Sequence, residues 1–448
     1  MSQPRGSFGS NFGMIAAAAG SAIGLGNIWR FPYVVGENGG AAFIFMYLLI
    51  IFVIGMPVLM SEFALGRRTN KNVFGAFRTL APKTQWPLVG ILGILTSFVI
   101  LSFYNVVAGW TMSFLVDSVA NKFSSQSPAE ISDTFDSFVT SGWKPILWLV
   151  FFIIVCVKIV VSGVEKGIEK YNKVLMPMLF VILVVLCINS VTLPGFSEGF
   201  KFLFTPDFSK INIDVVLNAL GQAFFSLSLG MGTMMTYGSY MRKKDNILKT
   251  TTSVIIADIF IAILAGLAIF PAVFSFGIEP TSGADLVFKT LPNIFSQMTG
   301  GYILSILFFL LLVVAAVTSA ISIFEVLVSY CVEELKFSRK KAVLIVAMSV
   351  FVTSSLCAIS MMPDSALVIA GNNIFDAFDK VSAMIMLPIG GLLIALYTGW
   401  FFKKESLHDE LSSGNKFKIR YFPIFYFIMK YVAPIMITIV FLSSLGLF

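Results

Sequence analysis

Charge is what this sequence has least of. Only 12% of its 448 residues are Asp, Glu, Lys or Arg, against 57% hydrophobic and 14% aromatic, and the mean hydropathy is +0.90. A water-soluble domain carries about 25% charged residues, and a chain of this length with half that charge cannot cover its surface in water. The composition therefore implies an integral membrane protein, and the net charge of +7 is not a nucleic-acid surface. Histidine is nearly absent: His408 alone, in a polar stretch, leaves no imidazole for a metal centre or a proton relay inside a span. The four cysteines, Cys156, Cys187, Cys331 and Cys357, each stand alone in an apolar run. Without CxxC spacing they suggest neither a zinc knuckle nor a disulfide framework. Met1 to Gly9 shows no charged, apolar and cleavage-site succession, so no removable signal peptide is expected.

What the sequence has instead is long apolar runs. A helical span needs about 20 mostly apolar residues in succession, and eleven such stretches are found: 11–36, 40–66, 87–119, 145–162, 168–190, 215–241, 247–276, 300–332, 340–361, 367–402 and 421–447. Of the 31 Lys and Arg residues, 23 fall on one side of the alternating loops, 6 on the other, and Arg30 and Lys430 within spans. Basic residues stay cytoplasmic, so the N-terminus is expected inside and Phe448 outside. The basic runs are read as topology signals rather than partner sites, and no protein partner is evident.

Two spans look built to break. The first contains Gly20-Ser21-Ala22-Ile23-Gly24-Leu25-Gly26-Asn27, and the sixth contains Ser226-Leu227-Ser228-Leu229-Gly230-Met231-Gly232. Glycine inside a helix costs about 1 kcal/mol against alanine, and freed backbone groups at membrane depth must find partners. Each cluster alone fits close helix packing. Their placement at the first and sixth spans instead divides the chain into two five-span halves. Five is odd, so the halves must be inverted: 1–190, then 191–402, with 403–448 supplying a loop and an eleventh helix. Interrupted helices at matching places in inverted repeats point to a transporter site at the midplane. There, helix N-termini attract a carboxylate and freed carbonyls hold a cation.

The motifs around these breaks resemble those of the neurotransmitter:sodium symporters. GSAIGLGNIWRFP from Gly20 to Pro32, followed by Glu37-Asn38-Gly39-Gly40, is similar to their first helix. GQAFFSLSLGMGTMMTYGSY from Gly221 to Tyr240 looks like their sixth helix, and Thr318-Ser319 within AAVTSAIS like their eighth. The resemblance covers essentially the whole chain. It implies an all-α fold of two inverted five-helix repeats plus one helix, the leucine-transporter fold with eleven transmembrane helices. It also implies sodium-coupled amino-acid uptake by alternating access. Ending after eleven helices, as some bacterial members do, suggests a bacterial inner membrane.

By this resemblance the substrate carboxylate meets backbone at Ala22, Gly24, Leu25 and Gly26 and the hydroxyl of Tyr104. The ammonium meets carbonyls of Ala22, Phe225 and Ser228. The side-chain pocket comprises Ser21, Ile100, Phe225, Ser228, Met231, Ser319 and Ile323, with Ser226 beside it. Gly24 stands where monoamine transporters carry a carboxylate, which suits an amino acid over an amine. Flexible Met231 replaces an aromatic residue, so a roomy pocket for hydrophobic or aromatic side chains is expected. Two sodium sites are implied: Ala22, Asn27, Ser226 and Asp258 at one, and Gly20, Ile23, Ala315, Thr318 and Ser319 at the other. Oxygen donors suit this hard cation.

Asp258 is a carboxylate at bilayer depth, a functional-site hypothesis by default. Chloride-dependent relatives place an anion near Tyr47, Gln222, Ser226 and a serine, but Ala262 stands one turn past Asp258 here. The carboxylate then supplies the negative charge itself, so no chloride requirement is expected, and proton movement through Asp258 could accompany return of the empty carrier. The outer gate by resemblance is Arg30 with Asp379, lidded by Tyr104 and Phe225. The inner gate is Arg5 with Glu333, beside Phe8, Ser239 and Tyr240. Gly167 and Pro177 match a Gly-x9-Pro motif that unwinds the inner half of the fifth helix. Glu62 is expected to brace the broken helices, and Glu325 to line the inner path. A channel, an intramembrane enzyme and an amino-acid sensor are the rival readings. A channel predicts a continuous polar-lined pore, where this chain has broken helices and paired gates. An enzyme predicts a nucleophile–base set or metal cluster, and no histidine lies in any span. A sensor would bind without accumulating.

Overall fold

The computed structural model describes residues 6–278 and 286–444, and the chain is almost entirely helical across them. We number the pieces at membrane depth in chain order. They are α1 (Asn11–Ala22) and α2 (Gly26–Glu37), then α3 (Ala41–Thr69), α4 (Pro87–Val119), α5 (Trp143–Val161) and α6 (Val164–Val191). After these come α7 (Ile213–Ser226) and α8 (Thr233–Gly238). The remainder are α9 (Ile247–Ser275), α10 (Gly301–Glu333), α11 (Arg339–Ser360), α12 (Ile374–Phe401) and α13 (Phe422–Ser443). Shorter helices and one small hairpin, Val368–Ile369 with Asn372–Asn373, fill the loops.

Nine described helices are long and apolar enough to cross a bilayer, and the bent pair α1–α2 makes ten. The expected eleventh is the sixth span, whose pieces α7 and α8 are each too short alone.

Both glycine-rich clusters do break their helices. α1 stops at Ala22; Ile23 takes an extended conformation, and the chain restarts in α2 with a 46° bend. Beyond α7, Ser228, Gly230 and Gly232 have φ of 53°, 78° and 80°. Glycine adopts this left-handed region without strain, whereas a serine there is unusual. Ser228 is tied down by donating its hydroxyl to the Ser21 carbonyl at 3.1 Å, so the two breaks hold each other.

The breaks sit at the centre. Of the apolar stretch of α10, 78% is buried, against 33% for α6 and α13. α3 and α8 cross closely because Gly66 and Gly238 present no side chain: a Cβ on Gly238 would lie 2.7 Å from the Phe63 carbonyl oxygen. This crossing packs the broken sixth span against Glu62 on α3, whose Oε1 accepts the Gly230 N–H at 2.7 Å. The bracing role expected of Glu62 therefore has a geometric counterpart.

Candidate functional site

The two breaks, α4 and α10 enclose a small cavity. Its lining is Ser21, Ala22, Gly24, Gly26, Ile100, Tyr104, Phe225, Ser228, Met231, Ser319 and Ile323. These belong to the expected substrate set; the two members outside the lining have other commitments. The Leu25 N–H donates to the Tyr104 hydroxyl at 3.2 Å, and the Ser226 hydroxyl donates to Asp258 at 2.6 Å. The expected roominess is not observed. The cavity has about 20 Å³ of free space, about enough for one water, because Tyr104, Phe225 and Ser319 close on the first break. A Cβ at Gly24 would lie 2.9 Å from the Tyr104 hydroxyl and collide with Ser319 Oγ. This closure leaves no room for a carboxylate side chain at position 24.

Beside the cavity lies a buried polar knot. Asp258 is fully buried. Its Oδ1 accepts from Asn27 Nδ2 at 2.8 Å and from Ser226 Oγ at 2.6 Å, while its Oδ2 accepts from the Tyr47 hydroxyl at 2.9 Å. Asn27 comes from the first break, Ser226 from the end of α7 and Tyr47 from α3, so one carboxylate ties three elements to α9. An unpaired charge at such depth would be costly, and three donors offset that cost. Ala22, expected with this group, stays on the cavity side of the break.

A second cluster of oxygens sits between α1 and α10. Thr318 Oγ1 donates to the carbonyls of Ala315 at 3.0 Å and Ile23 at 3.4 Å. Ser319 Oγ donates to the carbonyls of Gly20 at 3.2 Å and Ser21 at 3.1 Å. All five residues expected there come together. Among the described residues no cluster of three His, Cys, Asp or Glu could hold a metal ion. Both oxygen groups consist of carbonyl, amide and hydroxyl donors with at most one carboxylate, a set suited to a hard, singly charged cation.

The outer gate differs from expectation. Arg30 forms no ion pair with half-buried Asp379 within 4.0 Å. Its Nη1 donates to Gln222 Oε1 at 2.7 Å, and its guanidinium lies 5.1 Å from the centre of the Phe225 ring. Gln222 in turn donates to the Gly26 carbonyl at 2.8 Å. Gln222 and Phe225 thus hold the Arg30 guanidinium beside the cavity lining.

On the opposite face Phe8 is fully buried and packs edge-on against Tyr237 and Tyr240, with ring centres 5.6 and 6.1 Å away. Its N–H donates to the Tyr240 carbonyl at 3.3 Å. Ser239 donates to the Thr236 carbonyl. Glu333 accepts from the backbone and side chain of Asn72 at 2.8 and 2.9 Å; Arg5 lies outside the described residues. Glu325 is bound by the Tyr240 hydroxyl at 2.7 Å and Arg339 Nη2 at 2.6 Å, a contact that sequence spacing could not reveal.

α6 is wound without interruption from Val164 to Val191, so the unwound inner half expected from Gly167 and Pro177 is not present in this conformation. Gly167 lies in a wide turn, Val164–Glu169, pressed against the Ile159 carbonyl. Pro177 is carried inside the helix.

Comparison with known proteins gives a consistent picture. The family model for the sodium:neurotransmitter symporter family matches residues 5–137 and 122–448. An uncharacterized sodium-dependent transporter of Bacillus subtilis, YhdH, is 37% identical over 438 residues, covering 98% of this chain and 97% of its own. A similar uncharacterized transporter from Haemophilus influenzae is 36% identical, with 98% of each chain covered. Among solved structures, MhsT in complex with L-phenylalanine aligns with a TM-score of 0.92 and 42% identity, over 98% of this chain and 100% of that one.

Proposed function

Because the chain belongs to the sodium:neurotransmitter symporter family, whose members transport rather than catalyse, we propose that it takes up hydrophobic or aromatic amino acids in symport with sodium. It does so by alternating access and without a chloride requirement. Its repeats are 1–190 and 191–402, inverted to each other, with 403–448 completing the fold. α7 and α8 together form one broken crossing, giving eleven spans. The protein is multi-pass in a bacterial plasma membrane, N-terminus cytoplasmic and C-terminus outside.

The observation that carries this reading is the convergence of Asn27, Ser226 and Tyr47 on Asp258 directly beside a cavity lined by the two helix breaks. An entering carboxylate takes the Leu25 N–H from Tyr104, and the freed hydroxyl then donates to the same carboxylate. That carboxylate completes the first sodium site with Ala22, Asn27, Ser226 and Asp258. A second sodium lies among Gly20, Ile23, Ala315, Thr318 and Ser319. Gly24 leaves no carboxylate to hold an amine alone, and the apolar walls of Ile100, Phe225, Met231 and Ile323 select the side chain. Phenylalanine in the MhsT complex supports this class of ligand. Arg30 on Gln222 and Phe225 forms the outer lid, Phe8 with Ser239 and Tyr240 the inner closure, and Arg5 with Glu333 its ion pair. Asp379 engages Arg30, and the Gly167–Pro177 segment unwinds, in other states of the cycle. The driving force is adequate: one charge crossing ~100 mV supplies about 2.3 kcal/mol, and tenfold accumulation requires about 1.4 kcal/mol.

Binding of radiolabelled phenylalanine to the purified protein tests this. Binding should require sodium, should be displaced by leucine, tyrosine and tryptophan, and should resist aspartate, lysine and amines lacking a carboxylate. Equal binding in choline, or displacement by phenethylamine, would contradict it.

A further inference from the structure

A cavity of about 800 Å³ lies away from the two breaks, between the start of α4 and the end of α12. That is within the size range of ligand pockets. Leu88, Leu92 and Leu393 form its apolar floor. Trp86 forms an aromatic wall with Tyr397 and Phe401, at ring-centre distances of 4.9 and 4.7 Å. The pocket is open sideways: Leu88 is 58% exposed and Phe401 65%. In a membrane protein such surface faces acyl chains, and Trp and Tyr mark the headgroup level.

The mouth is basic. Lys83 immediately precedes Thr84 on the lining, held at φ 62° in the turn before α4. Lys403 and Lys404 follow Phe401 by two and three residues. Lys404 lies 5.1 Å from the Tyr426 ring centre, while Lys83 and Lys403 take part in no ion pair among the described residues. The stretch 80–92 contains no acidic residue, and on the other side the first is exposed Glu405, after Lys404. Basic pockets between spans at a membrane surface suit anionic headgroups.

We propose that this cavity is a binding site for one anionic phospholipid, with an acyl chain along Leu88, Leu92 and Leu393 and the phosphate between Lys83 and Lys403. The site is independent of the amino-acid and sodium sites, so its test does not depend on the transport reading.

The full-length protein is placed in phosphatidylcholine nanodiscs with rising fractions of dibrominated phosphatidylglycerol or dibrominated phosphatidylcholine. Bromine quenches nearby tryptophan, and subtracting the signal of Trp86→Phe isolates Trp86. The Trp86 component should be half-quenched at a far lower fraction of brominated phosphatidylglycerol than of brominated phosphatidylcholine. Lys83→Gln and Lys403→Gln should each reduce that preference about fivefold. Both are exposed residues, and an unchanged unfolding temperature in detergent verifies that the variants are folded. Equal quenching by the two lipids would overturn the proposal, as bulk contact only. So would a preference that survives in the double variant, or equal selectivity for brominated phosphatidylethanolamine.

Discussion

Asp258→Asn should abolish sodium-driven uptake in chloride-free medium and create uptake that depends on chloride. The carboxylate is fully buried and accepts from three side chains on three different elements. Its removal takes the negative charge from beside the proposed first sodium site and leaves the Tyr47 and Ser226 hydroxyls and the Asn27 amide aimed at a neutral amide. Breaking a buried charge pair costs about 3–5 kcal/mol, so sodium affinity should fall by roughly 10² to 10⁴-fold. The converging donors that remain are the hydrogen-bond set a chloride ion needs, so added chloride should recover part of the loss. Uptake by Asp258→Asn is compared in sodium chloride and sodium gluconate, with thermal stability measured alongside. Unchanged uptake in gluconate by a folded variant would remove Asp258 from the account.

Arg67→Ala should be among the most destabilising single changes in the chain. Arg67 at the end of α3 is fully buried. Its Nε donates to Glu410 Oε1 at 2.7 Å, its Nη1 to the Asp245 carbonyl at 2.6 Å, and its Nη2 to the Glu410 carbonyl. It thereby fastens the helix Lys404–Ser412 and the loop after α8 to α3. Lys243 also reaches both Glu410 oxygens, at 2.8 and 2.7 Å, but is 61% exposed. Exposed pairs contribute little, so Lys243 offsets only part of the loss. Stranding Glu410 should cost about 3–5 kcal/mol, seen as a lower unfolding temperature in detergent. Arg67→Met combined with Glu410→Met should regain most of it, since an apolar pair of similar volume leaves no buried charge. A single variant as stable as the double would show that the pair carries no such weight.

Arg67 also shows where the sequence stops being readable. It counts among the basic residues that set orientation, yet its partner lies 343 positions away, beyond any local pattern. The broken helices were legible because glycine and serine clusters interrupt otherwise continuous apolar runs. The ring of residues about the cavity was legible through motif resemblance, and eleven of thirteen lie on it. The conformational state was not. Whether Arg30 faces Asp379 or Gln222, whether α6 is wound, and how much room the cavity leaves depend on which of several packings the same residues adopt. The sixth span was legible as one apolar run, but the left-handed backbone at Ser228, Gly230 and Gly232 divides it into pieces too short for a crossing by length alone.

Uptake into proteoliposomes tests the central claim most directly. Radiolabelled phenylalanine is followed under inward gradients of sodium chloride, sodium gluconate and choline chloride. Accumulation above equilibrium with both sodium salts, and none with choline, is the predicted result. Accumulation from sodium chloride alone would contradict the role given to Asp258, and sodium-dependent binding without accumulation from either salt would contradict symport itself.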